Sequence, residues 1–390
     1  MKNGEPRRGP GPDARVRTRR AVRIALARLA AADPDPSRSP DQDQDPAPDQ
    51  ALPLVLVALS GGADSLALAS AAAREAARAR VRAGAVVVDH GLQEGSEAVA
   101  ESAAAQARAL GLDPVLVRRA DVESDSADGP EAAARTARYA ELAAAASDSG
   151  AAAILTAHTR DDQAEQVLLG IARGSGLRSL AGIPSERGLR RGARGSGPGT
   201  GSDRRPGIRI LRPFLAEEAG IGRAETLEAC AADGLTPWSD PHNADPAFAR
   251  VRVRATVLPV LERELGPGIA AALARTADLA GEDAAALELL ADRALVELGG
   301  GAGSGEAGAA VSLPVARLAE QPAAILYRMI RQFVSERFGS RLSREHTLGI
   351  AALVTDWRGQ GPAFVPGIRV HRAGGEIVFE RQLGSPRRLQ

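Results

Sequence analysis

Two short polar segments carry the side chains best suited to chemistry, and each follows an apolar run. SGGADS occupies residues 60–65 after LVLVAL, and HTRDDQAEQ occupies residues 158–166 after AAAILTA. In the first segment, Gly61 and Gly62 allow a tight turn in which successive N–H groups and the start of a helix face one anion. A Walker-type phosphate loop would add a lysine, but Lys2 is the single lysine of the chain.

Asp64 offers a way to bind phosphate without that lysine. A carboxylate repels phosphate unless a divalent cation lies between them, and Mg²⁺ commonly binds through one carboxylate and substrate phosphates. The hydroxyls of Ser60 and Ser65 would add donors. We therefore expect a nucleotide site with Mg²⁺ on Asp64. The alternative is a glycine turn in which Ser and Asp only cap the helix.

The second segment places His158, Asp161 and Asp162 between a predicted strand and the first turn of a predicted helix. Helix capping favours acidic residues at that position. A cap explains one carboxylate better than it explains a histidine and two carboxylates together. We therefore expect a catalytic group here.

The elements that position both segments are predicted from apolar runs that alternate with alanine-rich helical stretches. The runs are LVLVAL, AGAVVVDH, PVLVRR and AAAILTAH. Continuous apolar strands separated by helices indicate an α/β fold with a doubly wound, mostly parallel sheet. In such sheets ligands bind beyond the carboxyl ends of the strands, where both segments begin.

Composition excludes several classes of protein. Cys230 is the only cysteine among 390 residues, so neither a disulfide framework nor chemistry that needs two cysteines of this chain is expected. No apolar run is long enough to span a bilayer, and we expect a cytoplasmic protein without membrane contact. The formal net charge is zero, and the arginine richness of this lysine-poor chain is typical of coding bias rather than of RNA binding.

Composition shifts also predict the domain boundaries. Residues 1–51 are expected to form a basic and then Asp/Pro-rich tail, largely disordered, although residues 15–32 carry a helical apolar stripe. The catalytic domain is expected over 52–256, with a flexible arginine-rich insertion at 186–207. A helical substrate-binding domain (257–340) and a C-terminal helix with a strand pair (341–390) follow.

SGGADS resembles the SGGxDS signature of the PP-loop ATP pyrophosphatases, which have the adenine nucleotide alpha hydrolase fold. HTRDDQAEQ resembles HxxDDQAET, the hallmark of tRNA(Ile)-lysidine synthetases, and differs from it only at Gln166. The second motif is far more specific than the first.

Further segments are similar to that family. EAAARTARYAEL resembles its ARxxRY helix, while GIARGSGLRSLAGIP and ILRPFL resemble its RGxGxxGLxGI and RPLL segments. WSDPHNADPAFARVRVR resembles its D-x-x-N-x-D-x-x-F-x-R-N-x-x-R segment, but Val251 stands where the family has asparagine. The resemblance covers residues 52–256 well and continues only weakly beyond them.

The resemblance implies a ligase that uses ATP and Mg²⁺. Its substrates would be free L-lysine and tRNA(Ile) with a CAU anticodon, and a homodimer is among the expected states. O2 of the wobble cytidine would be adenylated with release of pyrophosphate, after which the lysine ε-amine would attack C2 and release AMP. The product would be lysidine, which pairs with A.

Motif matching gives the following site residues. The ATP loop comprises Ser60, Gly61, Gly62, Ala63, Asp64 and Ser65, with Asp64 also on the metal. Arg135 would stabilise the adenylated intermediate, while His158, Asp161 and Asp162 would hold the incoming ammonium or take its proton. Candidate tRNA contacts are Arg138, Arg212, Arg250, Arg252 and Arg254, the last three in a strand-like alternation that places them on one face. His90, which follows the second predicted strand, is a weak candidate for a site residue.

Two alternatives remain at this level. Another PP-loop tRNA-modifying enzyme could share SGGADS, although thiolating members generally rely on paired cysteines. A non-catalytic RNA-binding homologue is the other, because Val251 departs from the family pattern. The arginines of residues 187–212 are equally consistent with tRNA contact and with a passive insertion.

Overall fold

The computed structural model describes residues 13–31, 52–89, 91, 95–120, 130–174, 176–189, 208–216, 220–240, 245–299 and 310–382. The chain divides into two compact units, residues 1–279 and 280–390. None of the helices in these described ranges is both long enough and apolar enough to cross a membrane.

The α-helices are α1 Ala14–Ala31, α2 Ala63–Glu75, α3 Ser96–Ala109, α4 Pro130–Asp148, α5 Arg160–Ala172, α6 Leu177–Leu180, α7 Arg223–Ala232, α8 Ala249–Arg252, α9 Leu258–Leu265, α10 Ile269–Glu297, α11 Val315–Ala319, α12 Ala323–Phe338 and α13 Arg344–Thr355. The strands are β1 Leu54–Leu59, β2 Arg82–Asp89, β3 Val115–Arg119, β4 Ala153–Leu155, β5 Glu186–Leu189, β6 Ile208–Leu211, β7 Val311–Pro314, β8 Ala363–Val365, β9 Ile368–Ala373 and β10 Glu376–Arg381. A 3-10 turn, Pro213–Leu215, follows β6, and a π-helical segment, Val253–Val257, joins α8 to α9.

The first unit is built on a six-stranded sheet in the order β3-β2-β1-β4-β6-β5. All neighbouring strands are parallel except β5, which pairs antiparallel with β6. The predicted doubly wound, mostly parallel sheet is therefore confirmed. Glu186–Leu189, expected to begin the flexible insertion, instead form the edge strand β5, and residues 190–207 lie outside the described part.

Alternation along β1 explains why helices cover both faces of the sheet. Val55, Val57 and Leu59 belong to one buried cluster, which includes residues of α2, α3 and α7. Leu54, Leu56 and Ala58 belong to another, which includes residues of α4. Because β1 is buried on both faces, it is apolar throughout.

Helix α1 covers the helical apolar stripe noted within the N-terminal tail, while residues 1–12 and 32–51 lie outside the described part. Ala21, Val22 and Leu26 are almost fully buried in the same cluster as α2 and α7. Arg23 forms an ion pair of 2.7 Å with Glu75, which is itself buried. The apolar stripe of this arginine-rich segment therefore packs onto the first unit as one of its helices.

The second unit contains a four-stranded sheet in the order β7-β10-β9-β8, all antiparallel. β9 and β10 are joined through Gly374 and Gly375, both with positive φ. These two strands are the expected terminal pair, and β7 and β8 extend it on either side. Phe333 and Phe379 pack at 4.9 Å in the core of this unit.

Candidate functional site

The segment SGGADS forms the turn between β1 and α2. Gly61 has φ +82°, a backbone conformation that favours glycine. The Ser60 N–H donates to Ser65 Oγ at 3.2 Å, and Ser65 Oγ donates to the Gly62 carbonyl at 2.9 Å. The first N–H groups of α2 have no intrahelical acceptor, which leaves them available to an anion at this turn.

A cleft of about 300 Å³ lies beside this turn at the carboxyl ends of β1 and β2. Ser60, Asp89, Arg138 and Trp238 contribute to its lining. The Trp238 N–H donates to the Gly61 carbonyl at 2.9 Å, which holds the indole-bearing segment over the turn. The cleft is therefore continuous with the predicted phosphate loop and has the size of a small-molecule site.

Asp64 lies in the first turn of α2 and contacts α7. Its Oδ1 accepts a hydrogen bond of 2.5 Å from the Thr226 hydroxyl, and its Oδ2 lies 3.7 Å from Arg223 Nη2. Burial raises the pKa of Asp64, whereas the Thr226 hydrogen bond and the Arg223 charge act in the opposite direction. No local sequence pattern points to Thr226 or Arg223, because more than 150 residues separate each of them from Asp64.

Asp162 caps α5, as the simpler interpretation of HTRDDQAEQ expects. Its Oδ2 accepts the Thr159 N–H at 2.8 Å, while the Asp162 N–H donates to Thr159 Oγ1 at 3.4 Å. Its Oδ1 lies 3.9 Å from Arg254 Nη2. The cap therefore occupies one carboxylate oxygen and leaves Oδ1 for a further partner.

Asp161 points to a different neighbour from Asp162. Its Oδ2 accepts the N–H of Arg223, the first residue of α7, at 2.7 Å. A Cβ at the preceding residue, Gly222, would lie 3.0 Å from this Oδ2 and 2.8 Å from Arg160 Nη2. Glycine therefore allows α7 to begin this close to α5.

Glu165 is a member of HTRDDQAEQ that the sequence analysis did not single out. Its side chain is 1% exposed and accepts from Arg254 Nε at 2.6 Å and from Nη2 at 3.0 Å. Arg250 Nε lies 3.2 Å from the same carboxylate. Its spacing from Asp161 and Asp162 puts it on their face of the helix, and this spacing could have identified it.

The expected strand-like alternation of Arg250, Arg252 and Arg254 is wrong. These residues lie in α8 and the π-helical segment, where Arg250 and Arg254 share one face and contact Glu165. Arg252 donates instead to the carbonyls of Pro246 and Ala247 at 2.6 and 2.7 Å. Two of the three arginines therefore neutralise a buried carboxylate.

His158 lies beyond the end of β4, with Nδ1 3.1 Å from Thr156 Oγ1. Burial lowers the pKa of His158 to about 3, and the nearby charge of Arg212 acts in the same direction, while Asp162 opposes them. The imidazole is therefore neutral at physiological pH. It can accept a hydrogen bond, but it is a weak base in this environment.

The charges of three arginines lower the pKa of His158, and we call Arg135, Arg138 and Arg212 the arginine group. The Arg135 guanidinium lies 5.2 Å from the centre of the Tyr139 ring, and Arg212 is hydrogen-bonded to the Tyr139 side chain. Burial lowers the pKa of Arg138, as it does that of Arg212, whose side chain is almost fully buried.

We call Asp64, Asp162 and Glu165 the acidic group. His158 interacts with both groups, because the charge of Asp162 raises its pKa whereas the charge of Arg212 lowers it. The arrangement can thus hold a cation or an amine beside an anionic group. His90 and residues 190–207 lie outside the described part.

The carboxylates do not form a ready-made metal cage. Within the ranges described, no three His, Cys, Asp or Glu side chains converge as metal ligands. Mg²⁺ characteristically combines one or two carboxylates with phosphates and water. Asp64 fits that mode, because its Oδ2 already faces a positive charge and the phosphate loop adjoins it.

Comparison with known proteins gives a consistent result. A family model described as the PP-loop domain matches residues 41–261. The tRNA(Ile)-lysidine synthase of Leifsonia xyli subsp. xyli (strain CTCB07) is 54% identical over 297 residues, which are 76% of this chain and 80% of that protein. The tRNA(Ile)-lysidine synthase of Thermobifida fusca (strain YX) is 46% identical over 299 residues, which are 76% of this chain and 82% of that protein.

Among solved structures, a U34-tRNA thiolase from Methanococcus maripaludis with its [4Fe-4S] cluster aligns with a TM-score of 0.48 at 16% identity. The alignment covers 68% of this chain and 78% of the thiolase.

Proposed function

We propose that this chain, which belongs to the tRNA(Ile)-lysidine synthase family of PP-loop enzymes, joins free L-lysine to C2 of the wobble cytidine of tRNA(Ile) with a CAU anticodon. ATP is consumed, and the products are lysidine, AMP and pyrophosphate. The observation that carries the proposal is the meeting of the phosphate turn, the acidic group and the arginine group at the carboxyl edge of one sheet.

The turn from Ser60 to Ser65 would receive the phosphates of ATP, with the nucleoside in the adjoining cleft. Asp64 would hold Mg²⁺ together with phosphate oxygens, and the ion would supply charge neutralisation for the departing pyrophosphate. No lysine is then needed in the loop, because the bond to be broken lies between the α- and β-phosphates.

The arginine group would receive the anionic part of the adenylated cytidine. Arg138 lines the cleft next to the phosphate turn, and Arg135 lies on the same helix one turn away. Fixed cations in a water-poor site favour an anion more strongly than they would in water, and they require little reorganisation during the reaction.

Lysine must attack with an unprotonated ε-amine. We assign its recognition to Asp162 Oδ1 and to neutral His158, which accepts a hydrogen bond from the amine rather than storing its proton. Asp161 already accepts the N–H of Arg223, so we assign it to holding α7 in place. When the C2–O2 bond breaks, O2 leaves with AMP and the new nitrogen substituent releases its proton.

We assign a structural role to Arg250 of α8 and Arg254 of the π-helical segment. Arg250 and Arg254 neutralise Glu165, the buried member of the acidic group. Contact with tRNA is assigned to Arg138 and Arg212, and a helical and β-structured second unit would carry the rest of the tRNA. A cytoplasmic location, where tRNA and free lysine are available, belongs to the same proposal.

Sulfur transfer is disfavoured by the environment of the single cysteine. Cys230 is buried, and its Sγ donates to the Ala63 carbonyl at 3.2 Å. Burial raises the pKa of this thiol to about 12, so the thiolate needed for nucleophilic chemistry is scarce.

Lysine transfer to a transcript tests the proposal. The full-length protein would be incubated with ATP, Mg²⁺, labelled lysine and a tRNA(Ile) transcript bearing CAU. We expect one lysine per tRNA and one pyrophosphate per lysine. A methionine tRNA transcript with the same CAU anticodon is the matched control and should stay unlabelled. Failure to label a tRNA(Ile) transcript that a known lysidine synthase does label would refute the assignment.

A further inference from the structure

The first turn of α7 connects two carboxylates from separate sequence motifs. Its leading N–H, that of Arg223, donates to Asp161 on α5, and its Thr226 hydroxyl donates to Asp64 on α2. Glu225 completes the turn by accepting the Gly222 N–H at 3.0 Å. Helix α7 therefore stands between the phosphate turn and HTRDDQAEQ as a shared support.

The contact between Thr226 and Asp64 is well defined. Thr226 is fully buried, so water cannot readily replace its hydroxyl. The hydroxyl has one proton and two neighbouring acceptors, Asp64 Oδ1 at 2.5 Å and the Arg223 carbonyl at 2.9 Å. The shorter contact goes to the charged acceptor, which forms the stronger hydrogen bond.

The two oxygens of Asp64 are consequently not equivalent. Oδ1 is engaged by Thr226, whereas Oδ2 faces the guanidinium of Arg223 at 3.7 Å. The Arg223 side chain is 39% exposed, so it can move aside when another cation arrives. The oxygen that α7 leaves open is thus the one next to positive charge.

We propose that Thr226 is a positioning residue that fixes the Asp64 carboxylate by its Oδ1 and presents Oδ2 to the divalent cation that accompanies ATP. The inference rests on the proposed function only in taking Asp64 as the cation's protein ligand. A single carboxylate ligand gains affinity when its rotation is already restricted, and hydrogen-bonding partners of metal ligands typically contribute ten- to a hundredfold.

α7 is held firmly enough to serve as this support. On one side Arg17 of α1 forms an ion pair of 3.0 Å with Glu225 and donates to the Gly220 carbonyl at 3.0 Å. On the other side Arg160 of α5 donates to the same carbonyl at 3.0 Å. Helix α1, from within the N-terminal segment, therefore braces the turn that orients Asp64.

The same pair of helices supplies a matched control. Ser70 on α2 donates to Asp233, which directly follows α7, also at 2.5 Å, and Ser70 is 2% exposed. This bond lies two helical turns from Asp64 and has the same chemistry of hydroxyl and carboxylate. Removing this bond tests whether the loss of any buried hydrogen bond between α2 and α7 weakens Mn²⁺·ATP binding, whatever its distance from Asp64.

The experiment compares Thr226→Val, Thr226→Ser and Ser70→Ala in the full chain. Binding of Mn²⁺ with ATP, without tRNA, would be measured by calorimetry, with circular dichroism to establish that each variant is folded. We expect Thr226→Val to weaken Mn²⁺·ATP binding roughly tenfold. Thr226→Ser, which keeps the hydroxyl, should bind within about twofold of the unaltered protein, as should Ser70→Ala.

In steady-state kinetics, Thr226→Val should have a raised KM for ATP at limiting Mg²⁺. Saturating Mg²⁺ should restore most of its kcat. Unchanged Mn²⁺·ATP affinity in folded Thr226→Val would overturn the inference. Equal weakening in Ser70→Ala would also overturn it, because the effect would then come from helix packing. This binding measurement involves neither lysine nor tRNA. The expected effect of Thr226→Val can therefore be observed even if lysine transfer fails, and lysine transfer can be observed even if Thr226→Val has no effect.

Discussion

Members of the acidic group and the arginine group shift the pKa of His158 in opposite directions, and the two groups differ in how their own charges are paired. Each member of the acidic group lies within ion-pair distance of an arginine: Arg223 for Asp64, and Arg254 for both Asp162 and Glu165. Among the residues that the structure describes, no ion pair joins Arg135, Arg138 or Arg212 to a carboxylate, and the buried Arg212 Nε has no hydrogen-bond partner.

This difference separates a preassembled part of the site from a part that a ligand completes. Buried charges are costly unless they are paired, and the acidic group meets that requirement with the protein's own side chains. The arginine group does not meet it, and an anion from the substrate would supply the missing partner.

Replacing Asp64 with Asn should remove most of the activity. The amide keeps the shape of the side chain and its contact with Thr226, but it loses the charge that would hold the cation. We expect AMP release to fall roughly a thousandfold while the unfolding midpoint changes little. The measurement is AMP release in the presence of tRNA, and retained activity would contradict the metal assignment to Asp64.

Replacing Glu165 with Gln should lower the free energy of unfolding of the first unit more than the replacement of an exposed carboxylate does. Arg254 and Arg250 would lose a buried counter-charge, and breaking such a pair costs about 3 kcal/mol. Urea unfolding measures the loss. Glu264→Gln, which breaks an exposed pair with Arg263, is the control and should cost less than about 1 kcal/mol. Equal stability of both variants would mean that the acidic group is not preassembled by its arginines.

Replacing Arg138 with Gln should impair the reaction rather than the fold. Because no carboxylate in the described ranges pairs with it, the substitution leaves no buried protein charge unmatched. We expect kcat/KM for tRNA to fall roughly a hundredfold with a nearly unchanged unfolding midpoint. Arg118→Gln, which removes an exposed pair with Asp148, should leave both values unchanged. A large loss of stability in Arg138→Gln would show that the arginine group is structural.

His158 should make the fold sensitive to moderately acidic pH. The unfolded chain takes up a proton near pH 6.5, whereas the folded chain resists protonation until about pH 3, because burial and the charges of the arginine group disfavour the charged ring. The native state therefore loses stability as pH falls from 7.5 to 5, by about 2 kcal/mol.

His158→Asn should remove that part of the acid sensitivity. The difference between the two unfolding free energies, measured at several pH values, isolates the histidine from the carboxylates. Parallel curves for the two proteins would show that His158 titrates normally, and the arginine group would then exert little influence on it.

Much of the sheet could be predicted from the sequence because β1 to β4 are nearly continuous apolar runs separated by helices. Their carboxyl ends fix where Ser60 and His158 must lie, so the meeting of the two motifs follows from topology. Glu165 was also within reach of sequence reasoning, since helix spacing places it beneath Asp162.

Other features depend on contacts between distant parts of the chain. The segment ARVRVR alternates like a strand, yet Arg250 and Arg254 lie in helical turns because Glu165 is buried between them. Helix α1 is rich in arginine, and only the surfaces of α2 and α7 explain the burial of Val22 and Leu26. The pairing of Thr226 with Asp64 has no local pattern at all.

Nucleoside analysis of the product shows whether the site forms lysidine. tRNA(Ile) transcript treated with the full chain, ATP, Mg²⁺ and lysine would be digested and examined by mass spectrometry, with the Asp64→Asn protein in parallel. We predict a lysine-bearing cytidine at the wobble position alone, formed only by the unaltered protein. An unmodified wobble cytidine, or lysine attached elsewhere in the tRNA, would contradict the account.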